Sequence, residues 1–228
     1  TWKIFSKPVP PVNFQHNKQN LITEGSEFSE WEKCVQKMKE EVIFKDRQDA
    51  GRKLAEQLTE YAGLPEALIL ALPRGGVPVA HAVAHKLGIP FDVFIVRKLS
   101  VPGQEELAMG AIASGAAVVL NPDVVMAVDI PDSEIERIAE IEAGEIEVQE
   151  EIYRRGRKFP NIKGKTIIVV DDGLATGATM RSALAAIRKL GAEKIICAVP
   201  TAPPETCAAM EEYADDAICY QTPVPFRA

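Results

Sequence analysis

The chain has little of what a nucleic-acid binder, a membrane protein or a metal scaffold requires. Its 26 Lys and Arg are outnumbered by 33 Asp and Glu, for a net charge of −7 over 228 residues. Sequence-independent nucleic-acid binding relies on a basic surface, so no nucleic-acid partner is expected. No apolar run approaches bilayer-spanning length, so no membrane partner is expected either. No Gly-Lys-Ser/Thr is present, which excludes a P-loop. The histidines are His16, His81 and His85. The last two share one helix face at i, i+4, but a zinc site needs further ligands. Both read as structural or surface residues. The cysteines, Cys34, Cys197, Cys207 and Cys219, form no CxxC pair. Cys197 and Cys219 sit in apolar, strand-like runs and read as reduced core thiols. With no signal-peptide pattern, a cytoplasmic location is expected. No internal repeat is visible. The chain begins at Thr1 rather than Met and stops after Pro225-Phe226-Arg227-Ala228. It is therefore read as a fragment or one domain of a longer protein.

What is present is a globular composition, 46% hydrophobic and 26% charged. Residues 1–43 read as a Pro-containing arm followed by a short amphipathic helix over Trp31–Val42. Residues 44–228 form the main domain. Its first helix spans Asp46–Tyr61, with Ala50, Leu54, Leu58 and Tyr61 inward, ended by Gly63 and Pro65. Then come a strand at Ala67–Leu72, a turn at Pro73–Gly76, a helix at Val77–Leu87 and a strand at Phe91–Val96. A loop follows over Leu99–Glu106, with Pro102-Gly103 inside it. Met109–Ala113 and Ala116–Leu120 flank Ser114-Gly115 as a hairpin.

A helical insertion covers about residues 121–160. Within it Asp132–Arg157 reads as one long helix, with Ile138, Ile141, Val148 and Ile152 as its packed stripe. Acidic residues crowd its start and basic ones its end, which suits the helix dipole. The reading is a solvated helix packed by one edge, with self-association or a lid as the lesser alternative. Strands at Thr166–Val170, Lys194–Val199 and Ala217–Tyr220 alternate with helices at Ala178–Leu190 and Pro204–Tyr213. This order predicts an α/β fold with a doubly wound, mainly parallel sheet.

The most informative stretch is Thr166–Met180, TIIVVDDGLATGATM. An apolar, β-branched strand runs into two carboxylates, Asp171 and Asp172. Then comes a loop of small residues and hydroxyls, Gly173-Leu174-Ala175-Thr176-Gly177-Ala178-Thr179, and then a helix. The N–H groups of such a loop and first helical turn lack intrahelical partners, and the helix dipole favours a phosphate there. Carboxylates ahead of that cradle suit a sugar's vicinal hydroxyls. The segment therefore reads as a binder of a phosphorylated sugar.

The stretch resembles the signature of the type I phosphoribosyltransferases: strand, two acids, then Thr-Gly-x-Thr. Asp171, Asp172, Thr176, Gly177 and Thr179 fill that pattern. The resemblance implies binding of 5-phosphoribosyl-1-diphosphate. The acidic pair would take the ribose hydroxyls and Gly173 and Ala175–Thr179 the 5-phosphate. Mg2+ would bridge diphosphate and ribose oxygens near Asp171 and Asp172. A second turn, Leu72-Pro73-Arg74-Gly75-Gly76, matches the family loop that grips the diphosphate, often through a strained peptide bond. Arg97 and Lys98 match basic residues that some members direct at the diphosphate. Arg74, Arg97, Lys98 and the Asp pair are expected at the carboxyl ends of three sheet strands, where parallel sheets bind ligands. Ser100–Glu106 falls where the family has a mobile catalytic loop.

The implied activity is phosphoribosyl transfer to a nucleobase or another nitrogen acceptor, releasing pyrophosphate, with Arg74, Lys98, Asp171 and Asp172 central. The hypoxanthine–guanine enzymes have Asp where this loop has Ala175, which weakens a 6-oxopurine acceptor. The whole pattern, over roughly residues 44–226, looks most like a poorly characterised phosphoribosyltransferase-like branch. The alternative is a non-catalytic sensor that binds the donor or a nucleotide.

Overall fold

The structure is a computed structural model that describes residues 44–224 and 226. The expected arm and the helix over Trp31–Val42 lie outside the described residues. The described chain runs α1 (Arg47–Leu54), a 3-10 helix (Ala55–Tyr61), β1 (Ala67–Ala71), α2 (Gly76–Leu87), β2 (Phe91–Val93), β3 (Val96–Val101), β4 (Gln104–Ala113) and β5 (Ala117–Leu120). It continues with α3 (Pro122–Val128), α4 (Asp132–Arg154), β6 (Thr166–Val170), α5 (Ala178–Lys189), β7 (Lys194–Thr201), α6 (Pro204–Ala209), a 3-10 turn (Met210–Glu212) and β8 (Asp216–Gln221). The central sheet is parallel throughout, in the order β2-β1-β6-β7-β8. No helix among the described residues is long and apolar enough to cross a membrane.

The apolar runs of β1, β6 and β7 are buried on both faces, as a doubly covered parallel sheet demands. Alternate residues serve alternate layers. Leu68, Leu70, Ile167, Val169, Ile195 and Cys197 pack with α5 residues on one face. Ile69, Ala71, Ile168, Val170, Ile196 and Ala198 pack with α1 and α2 residues on the other.

Four expectations change. First, the strand expected over Phe91–Val96 ends at Val93. The chain leaves the parallel sheet through Phe94 and Ile95 and enters a separate antiparallel sheet, β3-β4-β5. Buried Ser114 fixes the departure. Its Oγ accepts the Ile95 N–H at 3.0 Å and its own N–H donates to the Ile95 carbonyl at 2.9 Å.

Second, the loop expected over Leu99–Glu106 is the turn of a β-hairpin. Leu99 and Val101 alternate into a third core cluster, and Gly103 takes the positive φ of a tight turn.

Third, the packed edge of α4 is not the expected stripe. Ile135 and Ile146 are buried and Ile138, Ala139, Ala143 and Tyr153 pack beside them, whereas Ile141, Val148 and Ile152 are exposed. Arg154, one of the basic residues at the helix end that suit its dipole, is 2% exposed.

Fourth, Cys219 is not a free thiol. It is disulfide-bonded to Cys207, which ties β8 to α6, while Cys197 is free and buried. Disulfides are rare in reducing compartments, so the cysteines no longer support a cytoplasmic location.

Candidate active site

Two loops meet at the carboxyl ends of β1 and β6. Parallel pairing sets Ala71 opposite Val170, so the chain leaves both strands at one level. From β6 it continues into Asp171 and Asp172. From β1 it passes through Leu72 and the Pro73–Arg74 peptide, which is cis, into Gly75, Gly76 and α2.

The glycines bring the two loops together. A Cβ on Gly76 would lie 2.6 Å from the Val170 carbonyl oxygen and 2.9 Å from the Asp171 Cα. A Cβ on Gly75 would lie 2.1 Å from Asp172 Oδ2. The space beside each backbone is thus filled by the acidic strand end. The Gly76 N–H donates to the Leu72 carbonyl at 3.0 Å, so the missing side chain is what this site needs from Gly76. Arg74 is exposed beside them.

Asp171 is strongly desolvated. Burial pushes its carboxyl up to about 7, against the Asp172 N–H that Oδ1 accepts at 2.8 Å and with the adjacent Asp172 charge also raising it. The folded chain therefore holds this proton more tightly than the unfolded one. Stability from this group is full below the ordinary value of 3.8 and is lost as pH rises towards about 7. The free thiol Cys197 is pushed up to about 12, chiefly by burial and also by Asp171.

The phosphate loop alternates anchors with open positions. Leu174 is buried and donates its N–H to the Thr201 carbonyl at 2.9 Å. Buried Gly177, at φ +72°, fits beneath Met210 and Thr206, where a Cβ would come within 2.9 Å of Met210 Cε. Thr206 Oγ1 donates to the Ala175 carbonyl at 3.0 Å, and Arg181 Nη1 to the Thr176 carbonyl at 2.9 Å. Between these anchors Ala175, Thr176, Ala178 and Thr179 are exposed at the N-terminus of the twelve-residue α5. The Ala178 N–H donates to Thr176 Oγ1 at 3.4 Å. The result is a braced loop at a helix N-terminus, an anion site in form.

Asp171 and Asp172 offer the hard oxygen donors that Mg2+ prefers. Among the described residues no cluster of three or more His, Cys, Asp or Glu could hold a metal by itself. The pair thus fits a cation whose other ligands come from a bound phosphate compound and water.

Arg97 and Lys98 are not at a central-sheet strand end. They lie in β3 of the antiparallel sheet and, as strand neighbours, point to opposite faces. The Arg97 guanidinium pairs with Glu142 of α4 at 2.5 Å. Lys98 Nζ donates to the Glu105 carbonyl at 2.5 Å, within its own hairpin. The expected convergence from three strands is thus carried by two, with Gly173 resting against Thr201 at the end of β7. His81 and His85 are exposed.

Residues 43–225 match the model of the phosphoribosyl transferase domain. The chain belongs to the type I phosphoribosyltransferase family. A Mycobacterium tuberculosis (strain H37Rv) protein, named provisionally as a phosphoribosyl transferase, is 43% identical over 186 residues. That match covers 82% of this chain, which spans only 42% of the relative's length. TT1426 of Thermus thermophilus, known from its crystal structure, is 39% identical. Its TM-score is 0.71, over 81% of this chain and 87% of that one. A hypoxanthine/guanine phosphoribosyltransferase of Methanohalophilus mahii is 23% identical over 139 residues, 61% of this chain and 53% of that protein. Family membership supports phosphoribosyl transfer in general terms.

One site residue has no counterpart in the sequence motifs. Arg47, in the first turn of α1, places Nη2 2.8 Å and Nε 2.9 Å from Asp172 Oδ2. Its sequence signal is faint. Asp46 caps the helix by accepting the Asp49 N–H at 2.7 Å, and a cation in a first turn opposes the helix dipole.

Proposed function

We propose that the protein transfers a phosphoribosyl group from 5-phosphoribosyl-1-diphosphate to a nitrogen nucleophile, with release of pyrophosphate. One observation supports this above all. The half-buried acidic pair, Asp171 and Asp172, abuts the Gly75–Gly76 loop on one side and runs into a braced anion loop on the other. That order matches a ribose flanked by a diphosphate and a 5-phosphate.

In this reading the Asp171 and Asp172 carboxylates accept hydrogen bonds from the ribose 2′ and 3′ hydroxyls. The amides and hydroxyls of Ala175–Thr179 hold the 5-phosphate. Arg74 and the start of α2 hold the diphosphate. As the C1–O bond breaks, its electron pair leaves with the diphosphate, and the acceptor nitrogen forms the new bond to C1. Cations fixed beside the departing charge favour that step more than they favour ground-state binding. Mg2+ supplies charge neutralisation on the diphosphate when bound. Arg97 is assigned to holding α4 through Glu142, and Lys98 remains the hairpin's candidate for the leaving group. A cytoplasmic setting fits a reaction on soluble phosphates.

The test is pyrophosphate release from the donor against a panel of nucleobases and small amines. Release with one acceptor class, and its absence with Asp172→Asn, is the expected result. Donor binding with no release for any acceptor would replace the transferase by the sensor reading.

A further inference from the structure

We propose that Arg47 is a cation that exchanges partners. It holds Asp172 while the site is empty and transfers to the diphosphate when the ribose hydroxyls claim that carboxylate. The proposal rests on the donor reading above.

Three observations place Arg47 between the two ligands. Helices α1 and α2 are in close contact because Gly51 has no side chain. A Cβ there would sit 2.4 Å from the Val79 carbonyl oxygen and 2.8 Å from the Ala82 Cβ. Further along, Lys86 Nζ reaches the Arg52 carbonyl at 3.1 Å and Glu56 at 2.9 Å. Residue 51 thus lies beside 79 and 82, and residues 52 and 56 beside 86. The helices run in the same direction, and Arg47, one turn before Gly51, comes level with the start of α2. That start is Gly75–Gly76, the diphosphate loop. Asp172 is wedged there, its Oδ2 in the space a Gly75 side chain would need. The guanidinium therefore lies within reach of both the ribose carboxylate and the place where the diphosphate would sit.

Helix chemistry does not account for Arg47. Asp46 and Asp49 already serve the N-terminus of α1, and a positive charge there is unfavourable. The fold does not depend on the pair either. The Arg47 and Asp172 side chains are 38% and 22% exposed, and ion pairs of that kind stabilise a protein little. Nε donates to Asp172 Oδ2 and Nη2 makes an ion contact with the same oxygen, and a planar guanidinium matches a phosphate equally well. A ribose hydroxyl that takes Asp172 Oδ2 displaces the guanidinium from that oxygen. A diphosphate oxygen then replaces the lost contact. The full donor supplies both groups at once, whereas a ligand without the diphosphate competes for Asp172 Oδ2 and brings Arg47 no phosphate oxygen there.

The exchange predicts effects of opposite sign. Wild type, Arg47→Ala and Arg47→Lys are titrated calorimetrically, in Mg2+ buffer, with inorganic pyrophosphate and separately with ribose 5-phosphate. Arg47→Ala is expected to weaken pyrophosphate binding about 10- to 100-fold, the usual loss for a hydrogen-bonded charge. It is expected to tighten ribose 5-phosphate about 2- to 5-fold, because Asp172 no longer has to be freed. Arg47→Lys should recover part of the pyrophosphate loss. If both ligands shift in the same direction, or ribose 5-phosphate does not tighten, Arg47 is only structural and the exchange is wrong. A wild type that binds neither ligand overturns the donor reading itself.

Discussion

Arg154→Ala should lower the unfolding free energy by about 3–5 kcal/mol in urea titrations, the cost of removing a buried cation from two partly buried acids. Arg154 is 2% exposed at the end of α4. Its Nε donates to Asp92 Oδ1 at 2.9 Å and its Nη2 to the Val93 carbonyl at 2.6 Å. Nη1 makes a close ion contact with Glu150 at 2.5 Å, and the guanidinium stacks 5.0 Å from the centre of the Phe159 ring. Asp92 and Val93 belong to β2, the edge of the central sheet, so this one side chain rivets the insertion to the sheet. A triple variant, Arg154→Met with Asp92→Asn and Glu150→Gln, removes the charges together and should recover much of the loss. A cost under about 1 kcal/mol for Arg154→Ala would mean that the rivet contributes little.

Gly75→Ala should abolish measurable donor binding while the fold survives. The new methyl group needs the position of the Asp172 carboxylate, 2.1 Å from Oδ2, and a side-chain carboxylate can swing away. Overpacking of this sort typically costs about 1–3 kcal/mol of stability. Losing the ribose acceptor removes charged hydrogen bonds worth about 1.5–3 kcal/mol each, and the displaced group also crowds the diphosphate loop. Gly76→Ala is the contrasting variant. Its methyl would meet the Val170 carbonyl at 2.6 Å and the Asp171 Cα at 2.9 Å, main-chain atoms that cannot rotate aside. That variant should lose stability together with binding. If Gly75→Ala binds the donor as wild type does, Asp172 is not the ribose acceptor.

The central sheet and its acidic turn were legible because their signals are local. A β-branched run buried on both faces, two adjacent carboxylates and a small-residue loop opening a helix each have one ready physical reading. The alternation of Leu99 and Val101 ahead of Pro102-Gly103 was equally local. It was hidden by the Pro-Gly pair, which made the whole segment read as a loop. The departure of the chain at Phe94–Ile95 was not legible, because it depends on Ser114, nineteen residues away. The packed face of α4 was not legible either. The helix offers two apolar rows at helical spacing, one through Ile135 and Ile146, the other through Ile141, Val148 and Ile152. Periodicity cannot choose between them without knowing what lies opposite. Arg47 and Arg154 were missed for the same reason. Each is placed by a partner more than 60 residues distant, Asp172 and Asp92. Cys207 and Cys219 lie twelve residues apart with no motif between them, and only the packing of α6 against β8 joins them.

The most direct measurement is calorimetric titration of wild type with 5-phosphoribosyl-1-diphosphate across pH, with Mg2+ and with EDTA. Asp171 must lose its proton to pair with a cation or to accept ribose hydroxyls as the stronger, charged acceptor, and burial pushes its carboxyl up to about 7. Ionised acid increases as pH rises, so affinity in Mg2+ should strengthen as pH rises through about 7 and level off above it. EDTA should weaken binding markedly at every pH. Saturable binding with that rising limb is the predicted result. No heat with Mg2+ at any pH, from protein that is folded, would contradict the assignment of this site to the diphosphate donor.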